Sequence, residues 1–216
     1  MNILIEGWRG INHSFAIVNQ FQISELIKSN EIYFNDVPFV SNKWNKNKNS
    51  SGLEKNLIDL INKIPHPALN QRHDVTYRIS FPFNFDNQFN SKLLFVFGNC
   101  EYKILSKEKY INNLPDILKN EQNFYIHTPS NWSKIGFLEA GFREDQVIVV
   151  PHGVDLNTFN LIPDDEKKIL RKKFKLQVED FILTNIGAMT QNKGVEALVA
   201  AYGILKKKYK NLKLIL

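Results

Sequence analysis

Short aliphatic runs recur along this chain, and the stretches between them carry the spacing of helices. "KLLFVFG" and "VIVV" are apolar on successive residues, without the alternation of a half-exposed strand. A strand that is apolar on both faces must be covered on both, which is the condition of a parallel sheet enclosed by helices. The runs at 2–7, 31–37, 74–80, 92–98, 123–128 and 147–150 are read as six such strands. The first helix is expected to start at Asn12 or Ser14 as cap and run through about Lys28, with Phe15, Val18, Ile23, Leu26 and Ile27 inward. A second covers 53–64 and stops at Pro65, and an irregular helical stretch follows around 106–118. "TPSNWSKIGFLEAGF" predicts a helix capped by Thr128 or Ser130, turning Trp132, Ile135 and Leu138 inward and closing on Gly141. Residues 1–152 thus read as a complete doubly wound, Rossmann-like α/β domain.

Beyond it the pattern pauses and restarts. Residues 153–180 read as a hinge and basic linker. Residues 181–216 read as strand, polar turn, helix and strand, the first β-α-β unit of a second Rossmann-like domain. Two strands and one helix cannot cover both faces of a sheet, so this piece is expected to lack a core of its own and to be incomplete.

Charge follows the same division. Residues 156–216 hold 12 Lys/Arg against 6 Asp/Glu, which accounts for the whole net charge of +6. Most of these lysines fall on an apparent helix and a linker, so they read as a solvated face, with nucleic acid the least favoured partner; peripheral contact with the inner face of a membrane is the other use of such a surface. A single cysteine, Cys100, excludes an internal disulfide framework and fits a reducing compartment. No apolar run approaches membrane-spanning length, and the N-terminus lacks the basic lead of a secretory signal, so a cytoplasmic location is expected.

In open α/β sheets ligands sit beyond the carboxyl ends of the strands. "EGWRGINHS" puts Gly7 and Gly10 in the turn before the first helix, where backbone amides and the helix N-terminus can meet an anion; an ordinary tight turn is the competing reading. Arg78 ends the third strand, placed either to fork onto a phosphate or carboxylate or to close a structural ion pair, for instance with Glu101. His13, His127 and His152 stand at strand ends, as cleft residues or satisfied structural histidines. Lys193 in "GAMTQNKG", ahead of Gly194 and a helix, is placed to meet a phosphate or to face solvent. No Cys/His spacing predicts zinc, and no paired aspartates predict a divalent metal on a diphosphate.

The segments "IHTPSNWSKIGFLEAGFREDQVIVVPHGVDLNTF" and "TNIGAMTQNKGVEALVAAY" resemble the retaining, family-4-like GT-B glycosyltransferases (glycosyltransferase group 1), and "VTYRISFPFNF" and "NCE" resemble strand ends of part of that group. The resemblance implies two Rossmann-like domains facing a cleft. It implies a nucleotide-sugar held mainly by the second domain, a glycan or lipid acceptor by the first, and sugar transfer with retained anomeric configuration and neither metal nor cofactor. By resemblance Gly7, Gly10 and Lys193 belong to the donor site, His13, Arg78, Glu101 and His127 to the acceptor side of the cleft, and His152, Gly153 and Asp155 to the hinge. The chain departs from the group at Ala188, where many relatives carry arginine, and Leu216 precedes the acidic motif that holds the donor's ribose in the family. By that measure the donor-binding domain is truncated and the chain alone is expected to be a poor transferase, completed by another chain or a homo-oligomer. The rival reading is a non-catalytic α/β module binding a carbohydrate, phosphate or protein partner through the same cleft.

Overall fold

A computed structural model of the chain describes residues 1–11, 13–38, 54–86, 91–106, 110–111, 122–187 and 191–216. The described residues form two units, Met1–Gly153 and Val154–Leu216.

The first unit is built on β1 (Asn2–Gly7), β2 (Glu31–Asp36), β3 (Val75–Ile79), β5 (Leu93–Phe97), β7 (Phe124–Thr128) and β8 (Val147–Val149). They pair in parallel in the order β2-β1-β3-β5-β7-β8. From β1 the chain steps outward to β2, returns to the other side of β1 as β3, and then continues in one direction. The order therefore reverses between β1 and β3, and doubly wound sheets bind ligands beyond the carboxyl ends at such a switch point. A short parallel ribbon, β4 (Phe83–Asn84) with β6 (Tyr110–Ile111), accompanies the sheet. Residues 110–111 belong to the stretch expected as irregular helix, and the rest of it lies mostly outside the described residues.

Strand register sorts the side chains into two cores. Ile3, Ile5, Ile32, Phe34, Val75 and Tyr77 share one face and pack with Ile23 of α1 (Ser14–Leu26) and Ile61 of α2 (Lys55–Asn62). Leu94, Val96, Phe124, Ile126 and Val147 share the opposite face and pack with Phe137 of α3 (Asn131–Glu139), Phe83, Phe85 and Phe142. Apolar residues at successive positions of a strand are needed because each face has its own core.

In α1 and α3 the expected apolar residues Phe15, Ile23, Leu26, Ile27 and Leu138 do meet the cores, but the most deeply buried positions include polar and small residues that hydrophobicity does not predict. In α1 the buried residues are Ala16, Asn19, Gln20, Ile23 and Ser24, whereas Phe15, Val18, Leu26 and Ile27 are half-buried. Asn19, Gln20 and Ser24 donate to the carbonyls of Trp8, Ala16 and Phe21, which satisfies these buried donors. In α3 the buried residues are Ser133, Gly136 and Phe137; Trp132 and Ile135 face outward. Ser133 Oγ accepts from the Cys100 N–H at 2.7 Å and from Thr128 Oγ1 at 2.6 Å, and a Cβ at Gly136 would stand 2.7 Å from that of Cys100. The closest approach of α3 to the sheet therefore runs through a hydroxyl and a missing side chain. The caps are His13 for α1 and Ser130 for α3, each accepting from a backbone N–H two or three residues on.

The second unit begins in the segment expected as linker, which holds α4 (Asp164–Lys173). Three acids in its first turn and Arg171, Lys172 and Lys173 in its last complement the helix dipole. β9 (Phe181–Thr184) and β10 (Leu212–Ile215) pair in parallel, joined through α5 (Val195–Lys208). Among the described residues of this unit only Asp180 and Leu212 are buried, so it has no core of its own. No helix among the described residues is long and apolar enough to cross a membrane.

Candidate functional site at the carboxyl edge of the sheet

The switch point is occupied by a row of polar side chains. Asn35, Glu6 and Arg78 lie at one register level on β2, β1 and β3. Asn35 Nδ2 donates to Glu6 Oε1 at 3.0 Å. Arg78 Nε and Nη2 both reach Glu6 Oε2 at 2.6 Å, with each side chain 5% exposed or less. Arg78 Nη1 donates to the Asn84 and Asp86 carbonyls at 2.6 and 2.8 Å, tying the segment after β3 to the end of the strand. Buried charge is tolerated because it is paired and its remaining donors are used. Of the two readings of Arg78 the ion pair is the one observed, but with Glu6; Glu101 lies in the exposed turn after β5, where its carbonyl accepts from Trp132 Nε1 at 2.9 Å.

On the other side of the sheet the turn after β1 meets the ends of β5 and β7 through rings. Gly7 ends β1 where a Cβ would lie 2.6 Å from the Ile79 carbonyl oxygen, so no larger residue fits. Gly10 takes a left-handed backbone, φ 69°, in open space. His13 caps α1: its Nδ1 accepts from the Phe15 N–H at 3.2 Å, and Trp8 packs edge-on to its ring at 4.9 Å. Phe15 contacts Phe97 at 5.1 Å, and Phe97 in turn contacts His127 at 5.5 Å and stacks on His152 at 5.6 Å. Gly7, Gly10, His13, His127 and His152 are thereby gathered at the carboxyl edge.

The three histidines are held neutral. Burial lowers the pKa of His13 and His152, and burial is the largest effect on His127, with His152 pushing the same way. The Val150 carbonyl, 3.3 Å from His127 Nε2, can only accept, so Nε2 carries the proton and Nδ1 accepts from the Tyr77 hydroxyl at 2.9 Å. Burial pushes the Tyr77 phenol well above its ordinary value, which keeps it a donor. The edge therefore presents neutral imidazoles, aromatic faces and the N-terminus of α1, an environment suited to hydroxyl-rich or anionic ligands.

Lys193 and Asp155 belong to the second unit. Lys193 is exposed, closing the short 3-10 turn Gln191–Lys193 ahead of left-handed Gly194. Asp155 accepts from Thr158 Oγ1 at 2.6 Å and the Asn157 N–H at 3.0 Å, and these bonds hold its carboxyl below the usual range. Gly153, the last residue of the first unit, has open space where a side chain would stand. Glu6, Asn35, Phe97 and Ser133 were not among the sequence candidates. The acid closing the otherwise apolar "NILIEG" was the available signal for Glu6. Among the described residues no group of three or more His, Cys, Asp or Glu side chains could hold a metal ion.

No protein-family model matches the sequence, and no curated protein matches it at a significant level. Solved structures do. The chain is similar along 100% of its length to HepE of Anabaena in complex with UDP (TM-score 0.62, 15% identity, 62% of that chain), in complex with UDP and glucose (0.60, 16%, 60%) and in complex with UDP-glucose (0.59, 14%, 60%). The chain thus spans about three-fifths of the length of these structures. At this identity the likeness establishes the fold, a parallel-sheet, Rossmann-like α/β fold of the GT-B glycosyltransferase kind.

Proposed function

We propose that the chain serves glycosyl transfer from a nucleotide-sugar, and that the carboxyl edge of its six-stranded sheet faces the reacting sugars. The observation that carries this reading is the likeness along the whole chain to structures that hold UDP and UDP-glucose, in a fold whose switch point lies at the same edge as the gathered histidines and Gly10. Gly10 leaves the backbone ahead of α1 open to a phosphate or sugar, Gly7 lets the strand end beneath it pack against β3, and Lys193 supplies a cation for the diphosphate. Charge developing on the leaving diphosphate is met by amides and ammonium in place of a metal, and the sugar is transferred with retained anomeric configuration, as in the group the sequence resembles. On the acceptor side neutral His13 meets hydroxyls of a glycan or lipid acceptor, His127 holds the wall behind it with both ring nitrogens bonded to Tyr77 and Val150, and His152, Gly153 and Asp155 form the hinge. Arg78 acts through Glu6 and the segment it anchors, as a scaffold rather than a ligand contact. The work fits glycan assembly in the cytoplasm.

The test is to incubate the 216-residue protein with UDP-glucose and a panel of glycan and lipid acceptors, with and without chelator. Transfer that retains the donor's anomeric configuration and survives chelation supports the reading. An inverted product, or UDP-glucose that neither binds nor reacts, contradicts it.

A further inference from the structure

Trp132 opens α3 but does not serve the core: it is 54% exposed. Its one polar atom is already used, since Nε1–H donates to the Glu101 carbonyl at 2.9 Å. Lys103 lays its Nζ 4.1 Å from the ring centroid, and Lys103 itself is held in the left-handed region, φ 57°, a conformation unfavourable for a non-glycine residue that persists only where the surroundings impose it. Those surroundings are specific. Ser133, next to Trp132, accepts from the Cys100 N–H, and a Cβ on Gly136 one turn on would press on Cys100 and on the Lys103 backbone. Tyr102, between the two residues that touch the indole, is 72% exposed. The ring is thus locked in place at the carboxyl edge, with the Lys103 ammonium over one face, while the residue as a whole remains half exposed.

We infer that Trp132, with Tyr102 and Lys103 beside it, is a stacking platform for a pyranose ring of a glycan acceptor. The inference rests on the glycosyl-transfer reading for its choice of acceptor side. A pyranose presents a face of C–H bonds to the negative face of an aromatic ring while its hydroxyls stay at the rim. There the Lys103 ammonium and the polar turn 101–103 can take hydrogen bonds. A lipid tail needs continuous apolar cover, and the groups that touch the indole are a backbone carbonyl and a lysine. Rigid aromatic side chains also lose little freedom on binding.

The experiment follows the Trp132 indole N–H signal by NMR in the full 216-residue protein. The probes are a neutral α-linked glucose hexamer, a neutral β-linked glucose hexamer and a galacturonate hexamer. At least one is expected to shift the signal saturably, and binding followed at the backbone amides of Tyr102 and Lys103 is expected to be about tenfold weaker in Trp132→Ala and within about threefold of wild type in Trp132→Phe. Trp132→Ala should leave the unfolding midpoint unchanged, and Lys103→Gln, which leaves the ring in place, should weaken binding. The platform is overturned when no hexamer moves the signal, or when Trp132→Ala binds as the wild type does. A parallel titration with UDP-glucose separates the two claims. Nucleotide-sugar binding without any hexamer at Trp132 sinks the platform alone. A hexamer at Trp132 without nucleotide-sugar binding sinks the glycosyl-transfer reading and leaves the platform standing.

Discussion

Glu6 and Arg78 stand opposite each other on adjacent parallel strands, their carboxylate and guanidinium 2.6 Å apart at the point where the sheet changes winding direction. The pair ties the ends of the two strands together, and Arg78 also fixes the segment 84–86 that follows β3.

Breaking one half of a buried pair leaves the other charged and unpaired. Arg78→Met and Glu6→Gln are each expected to cost about 3–5 kcal/mol in urea unfolding. The double variant Glu6→Leu/Arg78→Met is expected to recover a large part of that loss, because two apolar groups need no partner. Equal, additive losses in the two singles and the double would mean the pair is not coupled.

Two glycines are required by close approach. A methyl at Gly7 would press on the Ile79 carbonyl and on Asn19, and one at Gly98 would meet the Phe137 ring inside a packed core. Gly7→Ala and Gly98→Ala are each expected to lower stability by about 1–3 kcal/mol. Gly153→Ala and Gly187→Ala, with open space at the same point, serve as controls and should change it by less than about 0.5 kcal/mol.

Stability should fall on the acid side. His13, His73, His127 and His152 are all held below the ordinary 6.5, in each case chiefly by burial. The unfolded chain therefore binds protons that the folded chain refuses, so stability is full above 6.5 and declines as pH falls through that value toward the lower folded pKa values. Protonating His13 also removes the lone pair that caps α1. Thermal midpoints measured from about pH 8 down to about pH 5 should show this decline. His127→Gln should flatten it, and a midpoint that rises on acidification would contradict the neutral assignment.

Much of this architecture is legible in the sequence because β1, β5 and β8 are apolar on successive residues, a pattern few other elements share. The phase of α3 is not, because Ser133 and Gly136 are buried for a shared hydroxyl and a close backbone approach, which hydropathy scores as polar or neutral. The same holds for Asn19, Gln20 and Ser24 in α1. The helix α4 hides in a charge-dense stretch because it buries nothing, and the ribbon β4–β6 is too short to carry a period. At the candidate site, the strand-end positions of Gly7, Arg78 and His127 follow from the strand boundaries alone. The pairing of Arg78 with Glu6 rather than Glu101 does not, since it depends on β1 and β3 being neighbours in register, a property of topology rather than of either segment.

The most direct measurement is a backbone amide NMR titration of the isotope-labelled protein with UDP-glucose. The account predicts that Gly10, His13 and His127 shift together and saturably, while Asn2 and His73, at the amino ends of the strands, stay still. Shifts confined to that opposite end, or no response at Gly10, His13 and His127, would contradict it.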